Sequence, residues 1–131
     1  MYRAKLVAAR TAADAAREIR AIGVSDDCVR IMSDKAIFRI VKLHGVRNAV
    51  ANIIKQEMLS MGTDATVSQW TVDCSRKRTD VLLMGTLKHF KRLVADMRMQ
   101  GAHLPAKKKA EYLAVAEEVS RALAPADAKL R

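Results

Sequence analysis

The sequence predicts a single α+β or open α/β domain: a mixed sheet of about four strands packed by three to four helices. Three observations lead there. The chain is 131 residues long, inside the range of about 100–150 residues where single-core domains cluster. Half of the residues are apolar and 29% are charged, the balance of a globular chain and not of a disordered or collagen-like one. Stretches that alternate with period 2 are interleaved with stretches of period 3.6, the signatures of strands and helices. Residues 1–104 read as the α+β domain and residues 105–131 as a basic, helical C-terminal extension.

Met1 to Ala9 reads as a first strand, with Tyr2, Ala4, Leu6 and Ala8 in partial alternation. Thr11-Ala12-Ala13-Asp14 then has the form of a capping box, so a helix is expected from Ala12, with an apolar stripe at Ala15, Ala16, Ile19 and Ile22 and a stop at Gly23. Ser25 to Asp34 is compatible with a short helix or with a packed turn. Lys35 to Leu43 alternates, and the expected strand turns Ala36, Phe38 and Ile40 inward, opposite Lys35 and Arg39, before Gly45 closes it. Val46 to Met61 is the best-defined helix, with Gly62 at its C-terminal cap.

Thr63 to Cys74, rich in Thr and Val and holding Trp70, reads as a strand. The basic loop Ser75-Arg76-Lys77-Arg78 follows, and then a nearly continuous apolar strand from Thr79 to Thr86. Such a run suits a central strand covered on both faces. From Thr86 a helix carries Leu87, Phe90, Leu93, Val94 and Met97 on one face and ends at Gly101. After Leu104-Pro105 come Lys107-Lys108-Lys109 and a helix from Ala110 to Leu123.

Composition narrows the chemistry. The longest apolar runs are a few residues, far short of the roughly 20 that span a bilayer, so no membrane span is expected. Met1-Tyr2-Arg3-Ala4-Lys5 leads into a charged periodic segment without an apolar export signal, so the cytoplasm is the expected compartment. A catalytic (β/α)₈ barrel takes about 250 residues and does not fit. Cys28 and Cys74 lack metal-site spacing and read as free thiols. His44, His89 and His103 share no motif and read as surface or capping residues. No metal or cofactor is expected.

The formal net charge is +10, and its distribution is uneven: 11 bases face 8 acids over residues 1–75, and 13 face 6 over residues 76–131. That surplus points towards nucleic acid, phosphorylated ligands or an acidic partner. Arg76, Lys77 and Arg78, with Lys88, Lys91 and Arg92 of the next helix, are candidates for one basic patch. A strand, then Gly85-Thr86, then a helix places free amides and the positive dipole end at that turn, a general anion-binding arrangement. The anion-site candidates are therefore Gly85, Thr86, Lys88, Arg92, Arg76, Lys77 and Arg78. The turn has no Walker lysine and no G-x-G-x-x-G. Glu57 is the candidate catalytic acid: at about 100° per residue it falls amid Val50, Ile53, Ile54 and Met61, where a carboxylate needs a partner or a raised pKa, unless it reaches solvent from the last turn or pairs with a Lys or Arg at the core edge. Aromatic residues number five, and Trp70 is the one large stacking candidate for single-stranded nucleic acid.

Four segments also carry a resemblance as a set: Arg30-Ile31-Met32-Ser33-Asp34-Lys35-Ala36, Val41-Lys42-Leu43, Ala51-Asn52-Ile53-Ile54-Lys55-Gln56-Glu57-Met58-Leu59-Ser60 and Thr79-Asp80-Val81-Leu82-Leu83-Met84-Gly85-Thr86-Leu87-Lys88. The chain resembles, over about residues 24–100, the N-terminal extension that precedes the barrel in one bacterial group of dihydropteroate synthases. In that group the barrel condenses a pterin pyrophosphate with 4-aminobenzoate. Here Gly101-Ala102-His103-Leu104 stands where the family pattern has Pro-Phe-Gly-Leu, and the family's barrel motif is absent. The resemblance implies a stand-alone, non-catalytic module in folate or pteridine metabolism, with a barrel-type synthase or a second copy of the chain as partner. Were the chain an enzyme, the implied class would be dihydropteroate synthase-related. The alternative expectation is a small basic nucleic-acid-binding protein acting through residues 76–92 and Lys107 to Lys109.

Overall fold

The computed structural model describes residues 2–71, 73 and 75–127. They form an α+β domain of five helices and a three-stranded antiparallel sheet. In chain order the elements are α1 (Ala12–Ala21), α2 (Asp26–Ser33), β1 (Phe38–Arg47), α3 (Asn48–Ser60), β2 (Asp64–Val67), β3 (Arg78–Thr86), α4 (Leu87–Gly101) and α5 (Ala106–Leu123). The strand order is β1-β3-β2. One core holds them, and it includes Val41 and Leu43 of β1, Val81 and Leu83 of β3, Ile54 and Met58 of α3, Phe90 and Met97 of α4, and Tyr112 and Val119 of α5.

The caps read from the sequence are formed. The Asp14 amide donates to Thr11 Oγ1 at 3.2 Å and the Thr11 amide donates to Asp14 Oδ2 at 3.1 Å, a reciprocal capping box. At the end of α3 the Gly62 amide donates to the Leu59 carbonyl (3.0 Å) and the Thr63 amide to the Met58 carbonyl (3.1 Å). This is a Schellman stop, which needs the left-handed residue that Gly62 supplies at φ 83°. Ser25 accepts from the Cys28 amide and opens α2, so the Ser25–Asp34 stretch resolves to a short helix.

Four expectations for the sheet are corrected. Residues 2–10 form no strand, and Tyr2, Leu6 and Val7 are exposed; the sheet therefore has three strands, all antiparallel, and is not a mixed sheet of four. The phase of β1 is the reverse of the expected one: Phe38 and Ile40 face out, while Ile37, Val41 and Leu43 are buried. Both sets are apolar, so alternation alone supports either phase, and contact with the helices selects one. Gly45 does not close β1 but sits in a bulge at φ 62°, where the register with β3 slips between Leu43 and Val46. Finally, β3 is central but covered on one face only, with Leu82 exposed beside buried Val81 and Leu83.

Elsewhere the boundaries move. Strand β2 is four residues long and gives way to a 3₁₀ turn, Gln69–Thr71. There the Ser68 amide donates across to Thr79 Oγ1 of β3 and the Trp70 amide to Ser68 Oγ, the second a local side-chain bond that competes with a ladder. Cys74, the expected end of that strand and one of the expected thiols, lies outside the described residues. Cys28 is a free, half-buried thiol. Helix α5 starts at Ala106, so Lys107 to Lys109 form its exposed first turn, and the helix puts Tyr112, Val115, Ala116, Val119 and Leu123 into the shared core. Lys91 of α4 bridges Asp34 (2.9 Å) and Asp127 (2.8 Å), and the Ala12 amide donates to the Ala126 carbonyl, tying α1 and the end of α2 to the segment after α5.

Candidate functional site

Strand alternation decides what the sheet presents. With Val41, Leu43, Val81, Leu83 and Ala65 buried beneath the helices, the intervening residues form the opposite face. Its cross-strand rows follow from the register: Ile40 beside Met84 beside Asp64, and Lys42 beside Leu82 beside Thr66, with Phe38 beside Thr86 at one end. Phe38 is 56% exposed, Ile40 62% and Leu82 37%. Phe38, Ile40, Met84 and Leu82 thus form an apolar patch bordered by Lys42, Asp64 and Thr66, and an exposed apolar patch rimmed by polar residues is a feature of surfaces that meet a partner.

At the other end of this face the sheet floor runs into a groove of about 560 Å³ lined in part by Lys42, Thr66, Trp70, Arg76, Arg78 and Asp80. The Arg76 guanidinium lies 3.9 Å from the centroid of the Trp70 ring, a cation–π stack. The loop is held from behind by α3, whose first residue Asn48 donates from Nδ2 to the Arg76 carbonyl and from its amide to the Lys77 carbonyl (3.1 Å). Arg78 donates to the Gly45 carbonyl at 2.7 Å and lies 3.5 Å from the Glu111 carboxylate of α5. Asp80 accepts from the Gly45 amide at 3.0 Å and sits 3.7 Å from His44 Nδ1. The Gly45 amide, with the His44 and Lys42 charges, holds the Asp80 carboxyl below its ordinary range. The bulge glycine therefore orders both an acid and a base at the groove rim.

The candidate anion residues are not brought together. Arg76, Lys77 and Arg78 stand at the start of β3, and Gly85, Thr86 and Lys88 at its end; the steps along this nine-residue strand, at about 3.3 Å each, put roughly 26 Å between Arg78 and Thr86. The amides at the turn are already engaged. Thr86 donates to His89 Nδ1 (3.0 Å), Leu87 to the Ile37 carbonyl (2.9 Å), Lys88 to the Asp34 carbonyl (3.2 Å) and His89 to Thr86 Oγ1 (3.3 Å). His89 thus acts as the capping partner of Thr86. Lys88 is exposed, and Arg92 is 3.8 Å from Asp96 one helical turn on.

Glu57 is half-buried and accepts from Gln100 Nε2 at 3.2 Å, while Gln100 Oε1 accepts from the Tyr112 hydroxyl at 3.4 Å. The chain Tyr112–Gln100–Glu57 ties α5, α4 and α3 together on the helical side, away from the groove. Burial, with the Glu57 and Asp96 charges, pushes the Tyr112 hydroxyl up to about 12. Sequence reasoning missed Lys42, Asp80, Phe38 and Ile40 as surface features. The reversed phase of β1 hid three of them, and Trp70 was visible only as a lone aromatic.

Among the described residues no three His, Cys, Asp or Glu side chains converge to hold a metal ion, and no helix is long and apolar enough to cross a membrane. Comparison of the chain with family models, curated proteins and solved structures gives no match.

Proposed function

We propose that the protein is a non-catalytic docking module that binds a barrel-type dihydropteroate synthase through the open face of its sheet. The observation that carries this reading is the uncovered apolar patch of Phe38, Ile40 and Leu82, whose removal from water by a partner is favourable. The sequence resemblance supplies the class of partner. Its Thr79 to Lys88 segment includes the whole of β3 after Arg78, and so contributes Leu82 and Met84 to that face. The test is titration calorimetry against a purified barrel-type synthase. Binding is expected, and is expected to vanish in an Ile40→Asp/Leu82→Asp variant that still unfolds cooperatively. Binding unchanged in that variant, or none by the native chain, contradicts the proposal. The chain alone, given a pterin pyrophosphate and 4-aminobenzoate, is expected to release no product; sustained turnover would contradict it equally.

One observation favours a second reading, nucleic-acid binding. The Trp70–Arg76 stack, Lys42 and Arg78 border one groove, and a basic groove with an aromatic platform suits single strands. This reading requires log affinity for an oligonucleotide to fall with log salt by about 0.7 per phosphate contacted, and to fall sharply on Arg76→Glu. A flat salt response excludes it.

A further inference from the structure

We propose that residues 2–10 are an exchange strand: in a homodimer, the arm of each copy adds to the outer edge of β1 in the other. This inference stands apart from the docking partner proposed above. The arm puts Tyr2, Ala4, Leu6 and Ala8 in one strand phase, and Arg3 and Lys5, followed by Val7 and Ala9, in the other. Within its own chain it joins no sheet, and Tyr2 and Leu6 are 103% and 96% exposed. Tyr2 and Leu6, in strand order and left in water while Ala9 at the arm's root packs against the core, are a donor without an acceptor.

The acceptor is the edge of β1. That strand pairs with β3 on one side only, so its other side presents backbone donors and acceptors to any extended chain. Beside the edge runs a groove of about 430 Å³ whose apolar side, Val41, Leu123 and Pro125, is bordered by Arg10, Arg39 and Lys42. A strand laid there turns one phase of side chains into the groove and the other to solvent. The arm's Tyr2 and Leu6 phase then faces the groove's apolar side, which leaves Arg3 and Lys5 hydrated, with Val7 beside them.

Geometry selects a second copy over the arm's own sheet. The arm is rooted at the edge, because the Arg39 guanidinium donates to the Arg10 carbonyl. Its exit is fixed by the Asp14 carboxylate, which accepts from the Arg10 amide at 3.0 Å and the Thr11 amide at 3.1 Å, and the arm then runs along α1 beside Asp14, Arg17 and Glu18. The arm thus lies along α1 and not along its own β1, and a two-fold exchange keeps the bonds that hold residues 10 and 11. The lengths agree, nine arm residues against the ten of β1. Each copy would place those residues in the interface, close to the roughly 20–30 per side of a standard one. Each sheet then has four strands.

Sedimentation velocity over concentrations around about 1 μM, the weak end for interfaces of this size, tests the proposal. The native chain is expected to dimerise. Deleting residues 2–9 is expected to give a monomer at every concentration with cooperative unfolding retained. Leu6→Asp, in the groove phase, is expected to weaken the dimer at least about tenfold, and Lys5→Asp, in the solvent phase, not to weaken it. Because Arg3 and Lys5 approach the Arg39 and Lys42 of the other copy, added salt should tighten the dimer by screening. A native chain that stays monomeric overturns the proposal, including the case in which deletion merely lowers a monomer's stability. Dimers that persist in the deleted chain overturn it too.

Discussion

Replacing Ile40 and Val41 by threonine, one at a time, separates the two faces of β1. The residues are neighbours, and threonine keeps the β-branch at both, so strand propensity changes little. Ile40 is 62% exposed and Val41 6%. Full burial of such a side chain is worth about 1.5–3 kcal/mol, so Ile40 draws only about 0.5–1 kcal/mol from folding. Val41→Thr instead places a hydroxyl against the core, which costs about 1–3 kcal/mol without a partner. Urea unfolding at unchanged m-value should show Val41→Thr as the larger loss, by about 1 kcal/mol or more. The exposed remainder of Ile40 is what a partner covers. At about 1–2 kcal/mol, its loss weakens docking about five- to thirtyfold. An Ile40→Thr variant as unstable as Val41→Thr would mean that this face is packed in the isolated chain, and would refute the open-face reasoning.

Two further outcomes follow from groups on the helical side. The Tyr112 hydroxyl, raised from 10.0 to about 12, titrates higher folded than unfolded, so its contribution is complete below pH 10 and is lost as pH rises from there towards 12. Between about pH 9.5 and 11 the native chain should lose about 1 kcal/mol more stability than Tyr112→Phe, by parallel denaturant titrations; identical losses would show a solvated hydroxyl. Thr86→Ala should cost about 1 kcal/mol through the lost cap, and phosphate should leave the native melting temperature unchanged, because the turn amides already have partners; a phosphate-dependent rise would restore Gly85-Thr86 as an anion site.

What the sequence disclosed depended on how local the determinant was. Thr11 with Asp14 and the Gly62 stop are each settled within a few residues, and both form as read. The buried stripe of α4 was legible for the same reason, since its five apolar residues leave one consistent face. Strand β1 was not, because Ile37, Phe38, Ile40, Val41 and Leu43 satisfy either phase and only the packed helices choose. The open face of β3 was obscured similarly: Leu82 and Met84 continue an apolar run whose solvent side depends on what covers the sheet. The groove joins Lys42, Trp70, Arg76 and Asp80 from three segments through strand register, which no spacing reveals. At Gly85-Thr86 the motif was real, but the histidine three residues on filled the cap, a role more often taken by Glu or Gln.

The central claim, that the uncovered sheet face meets a protein partner, is tested most directly by site-specific photocrosslinking with a purified barrel-type synthase. A benzophenone side chain is placed at position 38 or position 82 on the open face, or at position 55 on α3 as the control. The account predicts crosslinks to the synthase from positions 38 and 82 and none from position 55. Crosslinking of equal yield from all three positions, or none from the sheet while the native chain still binds, would contradict it.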